Sequence, residues 1–359
     1  MAKRPLGLAK AAKLKKAKTE TPEGTPEPTQ EQKDAQLQVE VEESEPDEDL
    51  AELYGLFKTF DDGVKDSPKL AQGIVHESDR LLRKNEKLAP RFHLAYGLAL
   101  LNLAQFADEN EEPGSTDSAA AFIQAAIERL DSGLDIEENQ ADLSAAKALA
   151  LVEQIDDKLR TCKSKKRVST AKESIPQIKE AMKLADLSNA ATRRLAEAVR
   201  ALLEFGDSLG SLNNDKLDDF EAEILEWSAG KCKILLDSED VNVQRMANNT
   251  LGQYHLSLAT SLLGEFEQED EDFEPDLSSK NAKKARKSLT TAIEYLEKGV
   301  SDTDPQSYVQ TAEALISLGN LRENESAEQR ADYSKAVKLL KKAQRTGAGS
   351  FHDLIDSLE

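Results

Sequence analysis

Residues 282–296, AKKARKSLTTAIEYL, decide the fold. Ala282, Ala285, Leu289, Ala292, Ile293 and Leu296 fall at i, i+3, i+7, i+10, i+11 and i+14, a single apolar stripe along an α-helix. Asp304-Pro305 follows, an N-cap residue ahead of proline at the first helical position. The helix it opens, 305–321, carries Tyr308, Ala312, Leu315 and Gly319 on one face, where small residues permit close approach. After a polar break at 323–329 (ENESAEQ), a third helix presents Tyr333, Ala336, Val337, Leu340 and Ala343 on one side, with Gly347 as its C-cap.

Helix pairs of this kind suggest a tetratricopeptide-like repeat, whose second helix has a small–large–small rhythm. That rhythm, Ala-x3-large-x2-Ala, occurs at Ala285/Leu289/Ala292, Ala336/Leu340/Ala343 and, earlier, Ala119/Ile123/Ala126. First-helix matches are poorer: Leu251-Gly252 corresponds to the expected Leu-Gly pair, but no tryptophan precedes it. Helical spacing also marks 50–60, 69–84, 90–108, 117–133, 141–160, 171–187, 189–205, 215–236 and 241–264. No segment alternates with period two, so no sheet is expected. The predicted fold is all-α, a degenerate tetratricopeptide-like helical-repeat solenoid with a disordered N-terminal tail.

Composition agrees with this reading. Of 359 residues only 17 are Gly and 11 Pro, few for a turn-rich β protein, and Ala, Leu, Glu and Lys dominate. Residues 1–18 are basic and 19–48 acidic, rich in Pro, Thr and Glu with few apolar positions. Such a segment buries too little surface to offset its ordering entropy, so 1–48 reads as a disordered tail and 49–359 as the helical body. The lysine-rich stretch 158–167 suggests a division of that body into two lobes near 158–170.

Two cysteines, Cys162 and Cys232, exclude a disulfide framework and a cysteine-rich zinc module. The most apolar stretch, Leu94 to Phe106, is interrupted by Gly97, Asn102 and Gln105, and no run of apolar residues is long enough to span a bilayer. Neither a membrane nor a secretory signal is therefore expected. His76, His93, His255 and His352 lie far apart without ligand spacing, and no metal or cofactor site is expected. His76, with Glu77 and Asp79 nearby, reads as a hydrogen-bonded structural residue; His255, beside Tyr254, reads as packed or partner-facing.

Gly206-Asp207-Ser208-Leu209-Gly210 matches the letters of a nucleophile elbow. An elbow requires a strand before the serine, and here the helical stripe Ala191/Leu195/Ala198/Leu202 runs straight into it. A glycine-capped helix end explains the same letters, and no catalytic residue is assigned. Trp227, with Phe220 and Ile224 at i−7 and i−3, reads as a core anchor.

Charge is more informative. Lys and Arg total 47 against 68 acids, a net −21. Seven of the cations (Lys3, Arg4, Lys10, Lys13, Lys15, Lys16 and Lys18) lie in 1–18 without an acid, leaving 40 against 68 in the remainder. A body this acidic repels nucleic acid and attracts basic proteins. The basic arm reads as a nuclear-import signal, recognised by the acidic groove of an import receptor. The run EFEQEDEDFEPD at 265–276 places Phe266 and Phe273 among Glu267, Glu269, Asp270, Glu271, Asp272 and Glu274. Its plain reading is a solvated loop; its functional reading is a docking strip for a basic, partly apolar peptide. Thr21, Thr25 and Ser44 are candidate phosphorylation positions beside the basic arm.

Several stretches together resemble the fungal enhancer-of-translation-termination family, which includes a fission-yeast negative regulator of a prolyl-hydroxylase-like dioxygenase. They are MAKRPLGLAK (1–10), GIVHESDRLLR (73–83), NTLGQYHL (249–256), AIEYLEKG (292–299) and DPQSYVQTAEALISLGNLRENESAEQRADYSKA (304–336). The resemblance implies a nuclear, all-helical protein without enzymatic activity of its own. It implies binding to a 2-oxoglutarate/Fe(II) dioxygenase, restraint of that enzyme in hypoxic gene expression, and a role in accurate translation termination. A small-subunit ribosomal protein, substrate of the dioxygenase, is a further implied partner. The iron and 2-oxoglutarate belong to the dioxygenase. The alternative is a general acidic import or assembly chaperone for basic proteins; a hydrolase using Ser208 is the third class.

Overall fold

Several helices begin where the sequence supplies an acceptor for free N–H groups. Asp47 Oδ1 accepts from the N–H groups of Asp49 and Leu50, at 3.0 and 3.3 Å. The side-chain oxygens of Ser118, Thr192, Ser279 and Ser326 each accept from the residue three positions on. The computed structural model describes residues 47–63, 68–85, 87–107, 118–137, 140–188, 190–212, 214–264 and 277–358. Among these, α1 is Glu48–Asp61, α2 Pro68–Lys84, α3 Pro90–Phe106, α4 Ala119–Ile136 and α5 Ala141–Thr161. A 3₁₀ turn, Ser164–Lys166, precedes α6, Arg167–Leu187. Then come α7 Arg193–Gly210, α8 Asp215–Leu235, α9 Val241–Gly264, α10 Lys280–Gly299, α11 Pro305–Asn320, α12 Ala327–Arg345 and α13 His352–Leu358.

The described residues form no strand, only an isolated bridge between Ser301 and Asp304. The fold is all-α and helical-repeat. Pro305 opens α11 as expected, but the Asp304 side chain makes no capping hydrogen bond. Gly347 does stop α12: at φ +99° it takes the left-handed position. The N–H of Ala348 then reaches back to Ala343 O (2.9 Å), and that of Gly347 to Gln344 O, which satisfies two terminal carbonyls. The short α13 lies beyond the helices read from the sequence.

The chain separates into two compact units, whose described residues run 47–225 and 226–358, the division falling within α8. The lysine-rich stretch 158–167, where the sequence suggests a lobe boundary, lies inside the first unit. In that unit α1 packs on α3, α3 on α5 and α5 on α7, while α2, α4 and α6 each pack on their sequence neighbours. This alternation of stacked and flanking helices is the repeat. α3, buried continuously from Phe92 to Leu103, sits where four helices cover it. Gly97 permits this approach: a Cβ there would stand 2.8 Å from Leu130 Cγ on α4.

Glu221 on α8 abuts α7, 2.7 Å from where a Cβ on Gly210 would stand. Burial, then Asp207 and Asp218, push its carboxyl up to about 7. The folded state therefore keeps a proton that the unfolded chain releases above its ordinary value of 4.5. That contribution to stability is present at low pH and lost as pH rises through about 7. Partial exposure screens the effect. Glu221→Gln should melt close to wild type near pH 5 and above it near pH 8, each pH being approximate; parallel melting curves across that range would contradict the assignment.

In the second unit α9 through α13 pack in succession. Two of the three small–large–small triplets, Ala285/Leu289/Ala292 and Ala336/Leu340/Ala343, are fully buried. In the third, Ile123 and Ala126 are buried and Ala119 is half-buried. The Leu-Gly pair also has its reason: a Cβ on Gly252 would stand 2.5 Å from Leu296 Cγ of α10. Gly319 on α11 faces the ring of Tyr333 on α12. The Tyr333 hydroxyl donates to Asn320 Oδ1 (2.6 Å) and accepts from Gln329 Nε2 (3.4 Å), so the ring is anchored at its hydroxyl. Gly319→Ala should destabilise by about 1–3 kcal/mol through this overpacking. A denaturant midpoint equal to wild type would mean the ring moves freely.

Candidate functional site

The basic arm (Lys3, Arg4, Lys10, Lys13, Lys15, Lys16, Lys18), the positions Thr21, Thr25 and Ser44, and the acidic strip Phe266–Glu274 all lie outside the described residues. The docking geometry that the structure does describe is elsewhere, on α5. Leu151, Ile155 and Leu159 bury one side of that helix. Glu153, Asp156 and Asp157, at i, i+3 and i+4, consequently share another side, with Arg160 one turn on.

These groups line a cleft of about 220 Å³ whose other walls are Ala104 and Ala107 at the end of α3 and Ala119 and Ile123 of α4. Phe106, at the end of α3 between these alanines in sequence, is 44% exposed. A second cleft shares Asp156 and Arg160 and runs on to Arg167 and to Ser208, Ser211 and Leu212. Burial raises the pKa of Glu153, and Asp156, Glu204 and Asp157 add to the effect against Arg160. Burial likewise raises that of Asp156, with Asp157 and Glu204 adding and Arg160 and Arg167 opposing. Arg160 is engaged by Asp157 at 2.9 Å. Crowded carboxylates beside an apolar floor favour a ligand that brings positive charge together with aliphatic surface. The sequence predicts a helix over 141–160 and assigns Glu153, Asp156 and Asp157 no role; their i, i+3, i+4 spacing is the available signal.

The second unit carries an aromatic shelf. Tyr254 meets His255 edge-on at 5.0 Å, and His255 lies parallel to Tyr295 at 5.8 Å, joining α9 to α10. Lys298 Nζ stands 5.6 Å from the Tyr295 ring centre. Burial, then Lys233, lower the pKa of His255, which favours the neutral form of the stacked imidazole. All three rings are half-buried, so His255 is both packed and accessible. Phe220 and Ile224 are core residues as expected, but Trp227 is half-open, with Lys231 Nζ 5.9 Å from its ring.

Other chemistry-bearing residues have structural settings. Ser208 lies within α7 and donates to Phe205 O at 2.7 Å, with no strand–turn ahead of it. His93 is buried against Phe92, whereas His76 is exposed. The carboxylates flanking His76 are engaged elsewhere: Glu77 with Arg80, and Asp79 with the Tyr96 hydroxyl. Among the described residues no helix is long and apolar enough to cross a membrane.

The sequence profile of the family described as "Nuclear pore complex subunit Nro1" matches residues 1–228 and 213–359. Enhancer of translation termination 1 from Yarrowia lipolytica is 32% identical over 331 residues, covering 88% of this chain and 86% of its own. The protein of that name from Saccharomyces cerevisiae S288c is 31% identical over 408 residues, 99% of each chain. A structure of Schizosaccharomyces pombe Nro1, described as a nuclear import adaptor, superposes with a TM-score of 0.55. It covers 86% of this chain and 98% of that one at 20% identity. A second Nro1 structure, described as the hypoxic regulator of sterol synthesis and a nuclear import adaptor, gives 0.56, covering 86% and 92% at 20% identity. At that identity the likeness is one of fold. By sequence matched along its whole length, the chain belongs to the Nro1 family, and its relatives from Yarrowia lipolytica and Saccharomyces cerevisiae carry the name Enhancer of translation termination 1.

Proposed function

We propose that this chain is a non-catalytic nuclear import adaptor and regulator. In this reading it binds a 2-oxoglutarate/Fe(II) dioxygenase of the prolyl-hydroxylase type, and it acts in translation termination and hypoxic gene expression. The observation that carries the reading is full-length kinship with proteins named for translation termination, joined to the fold of a protein described as a nuclear import adaptor. The α5 cleft supports a second, basic partner, for which a small-subunit ribosomal protein has the right charge. The same cleft favours the alternative, a general acidic import or assembly chaperone for basic proteins.

Titration of the full chain with the same organism's dioxygenase, at two salt concentrations, separates the readings. Micromolar or tighter binding that persists at high salt is expected; no binding by a folded chain would leave the chaperone reading. Binding to the ribosomal protein should instead weaken steeply with salt. Glu153→Gln with Asp156→Asn should flatten that salt dependence and leave the dioxygenase affinity unchanged. Equal salt slopes for both partners would contradict this division of surfaces.

A further inference from the structure

Residues 158–172, KLRTCKSKKRVSTAK, hold seven cations and no acid, as the basic arm does, in a chain of net −21. Lys158 and Arg160, in the last turn of α5, face the negative end of that helix and are well placed there. Lys165, Lys166 and Arg167 are not. They crowd the start of α6, where the helix dipole disfavours positive charge. That end has no side-chain cap and no acid in its first turn. Lys163, Lys165 and Lys166 are exposed and pair with no carboxylate among the described residues. Arg167 also holds the end of α5, its Nε donating to Leu159 O at 3.2 Å, but nothing in the folding of α5 or α6 accounts for Lys163, Lys165 and Lys166.

The backbone is suited to being read by another chain. Cys162 (φ −74°, ψ 154°) and Lys163 (φ −63°, ψ 139°) are already extended. The 3₁₀ turn after them is closed by two backbone bonds, from Lys166 N–H to Lys163 O at 2.7 Å and from Arg167 N–H to Ser164 O, and Ser169 Oγ donates to Lys166 O at 2.8 Å. An uncapped first turn with few bonds opens readily into an extended strand.

We infer that the exposed segment Lys163–Arg167 is a second import-receptor docking site, recognised by an acidic peptide-binding groove. The inference rests on the import-adaptor reading above. An acidic protein groove fits better than RNA. The segment offers no aromatic ring for base stacking, and the chain's net charge opposes a long polyanion. With the arm at 1–18, the segment provides two basic elements on one chain, so engagement of one raises the effective concentration of the other.

The test uses the full chain and importin α lacking its autoinhibitory arm, without the dioxygenase, so that failure of dioxygenase binding cannot affect the result. Lys163→Glu with Lys165→Glu and Lys166→Glu should weaken receptor binding by about tenfold or more. The same changes place acids at a helix N-terminus, so thermal stability should hold or rise, which separates lost docking from unfolding. Serine replacements of Lys13, Lys15 and Lys16 should weaken binding separately, and the combined variant should lose more than either. Unchanged affinity in the triple variant would overturn the inference. So would a variant whose only loss is affinity for a single-stranded RNA oligonucleotide.

Discussion

Asp61→Ala should lower the stability of the first unit by about 3 kcal/mol, from the charge it leaves uncompensated. Arg194 on α7 is only 5% exposed. Its guanidinium contacts Asp61 at the end of α1 and Glu197 on its own helix, the latter at 2.6 Å. Burial opposes the charge on Arg194, and the two carboxylates outweigh it and hold the group protonated. Arg193 joins the network, with Asp61 Oδ1 at 3.5 Å and Glu197 Oε1 at 3.2 Å. Removing Asp61 leaves two guanidinium groups to one carboxylate, one of them out of water. Arg194→Leu should cost far less, since it removes the buried charge itself and leaves Asp61 paired with Arg193. Denaturant unfolding followed by circular dichroism reads both variants. Equal losses would show that the pair contributes net attraction and not mainly relief of a desolvation penalty.

Leu289→Ala should destabilise the second unit by about 3–4 kcal/mol. Leu289 is 1% exposed and lies in one apolar cluster with Leu296, Leu315 and Leu340. Ala285 and Ala292 flank it on α10 and are fully buried themselves. Because small residues already bring the backbones close, little side chain is left to collapse into the space the leucine vacates. Leu339→Ala on α12 is the contrast: Leu339 is only partly buried against the same core, and its truncation should cost about 1 kcal/mol. Equal midpoints for the two variants would mean that the small–large–small rhythm is not what organises this unit.

Which segments are helical was legible locally. A period of 3.6 in apolar residues is written along each segment, and Ser118, Thr192, Ser279 and Ser326 mark starts by chemistry that acts within one turn. The close approaches at Gly252 and Gly319 were legible too, as small residues among large ones on an apolar stripe. The α5 cleft was not. Its carboxylates share a face by spacing, but their pKa shifts need Ala104, Ala107 and Ile123 beside them and Glu204 from another helix.

The sequence by itself therefore determined an all-helical, acidic chain, the place of most helices and the kinship with the Nro1 family. Tertiary structure decided what periodicity cannot encode, namely which element covers each apolar face and how far it extends. Trp227 shares a stripe with Phe220 and Ile224 yet stays half-open. Arg194 finds Asp61 across more than a hundred residues of chain. The division into units falls inside α8 and not at the lysine-rich turn. Helix formation is governed by neighbours within four residues, whereas burial and charge pairing depend on which distant helix arrives, and only the folded chain holds that information.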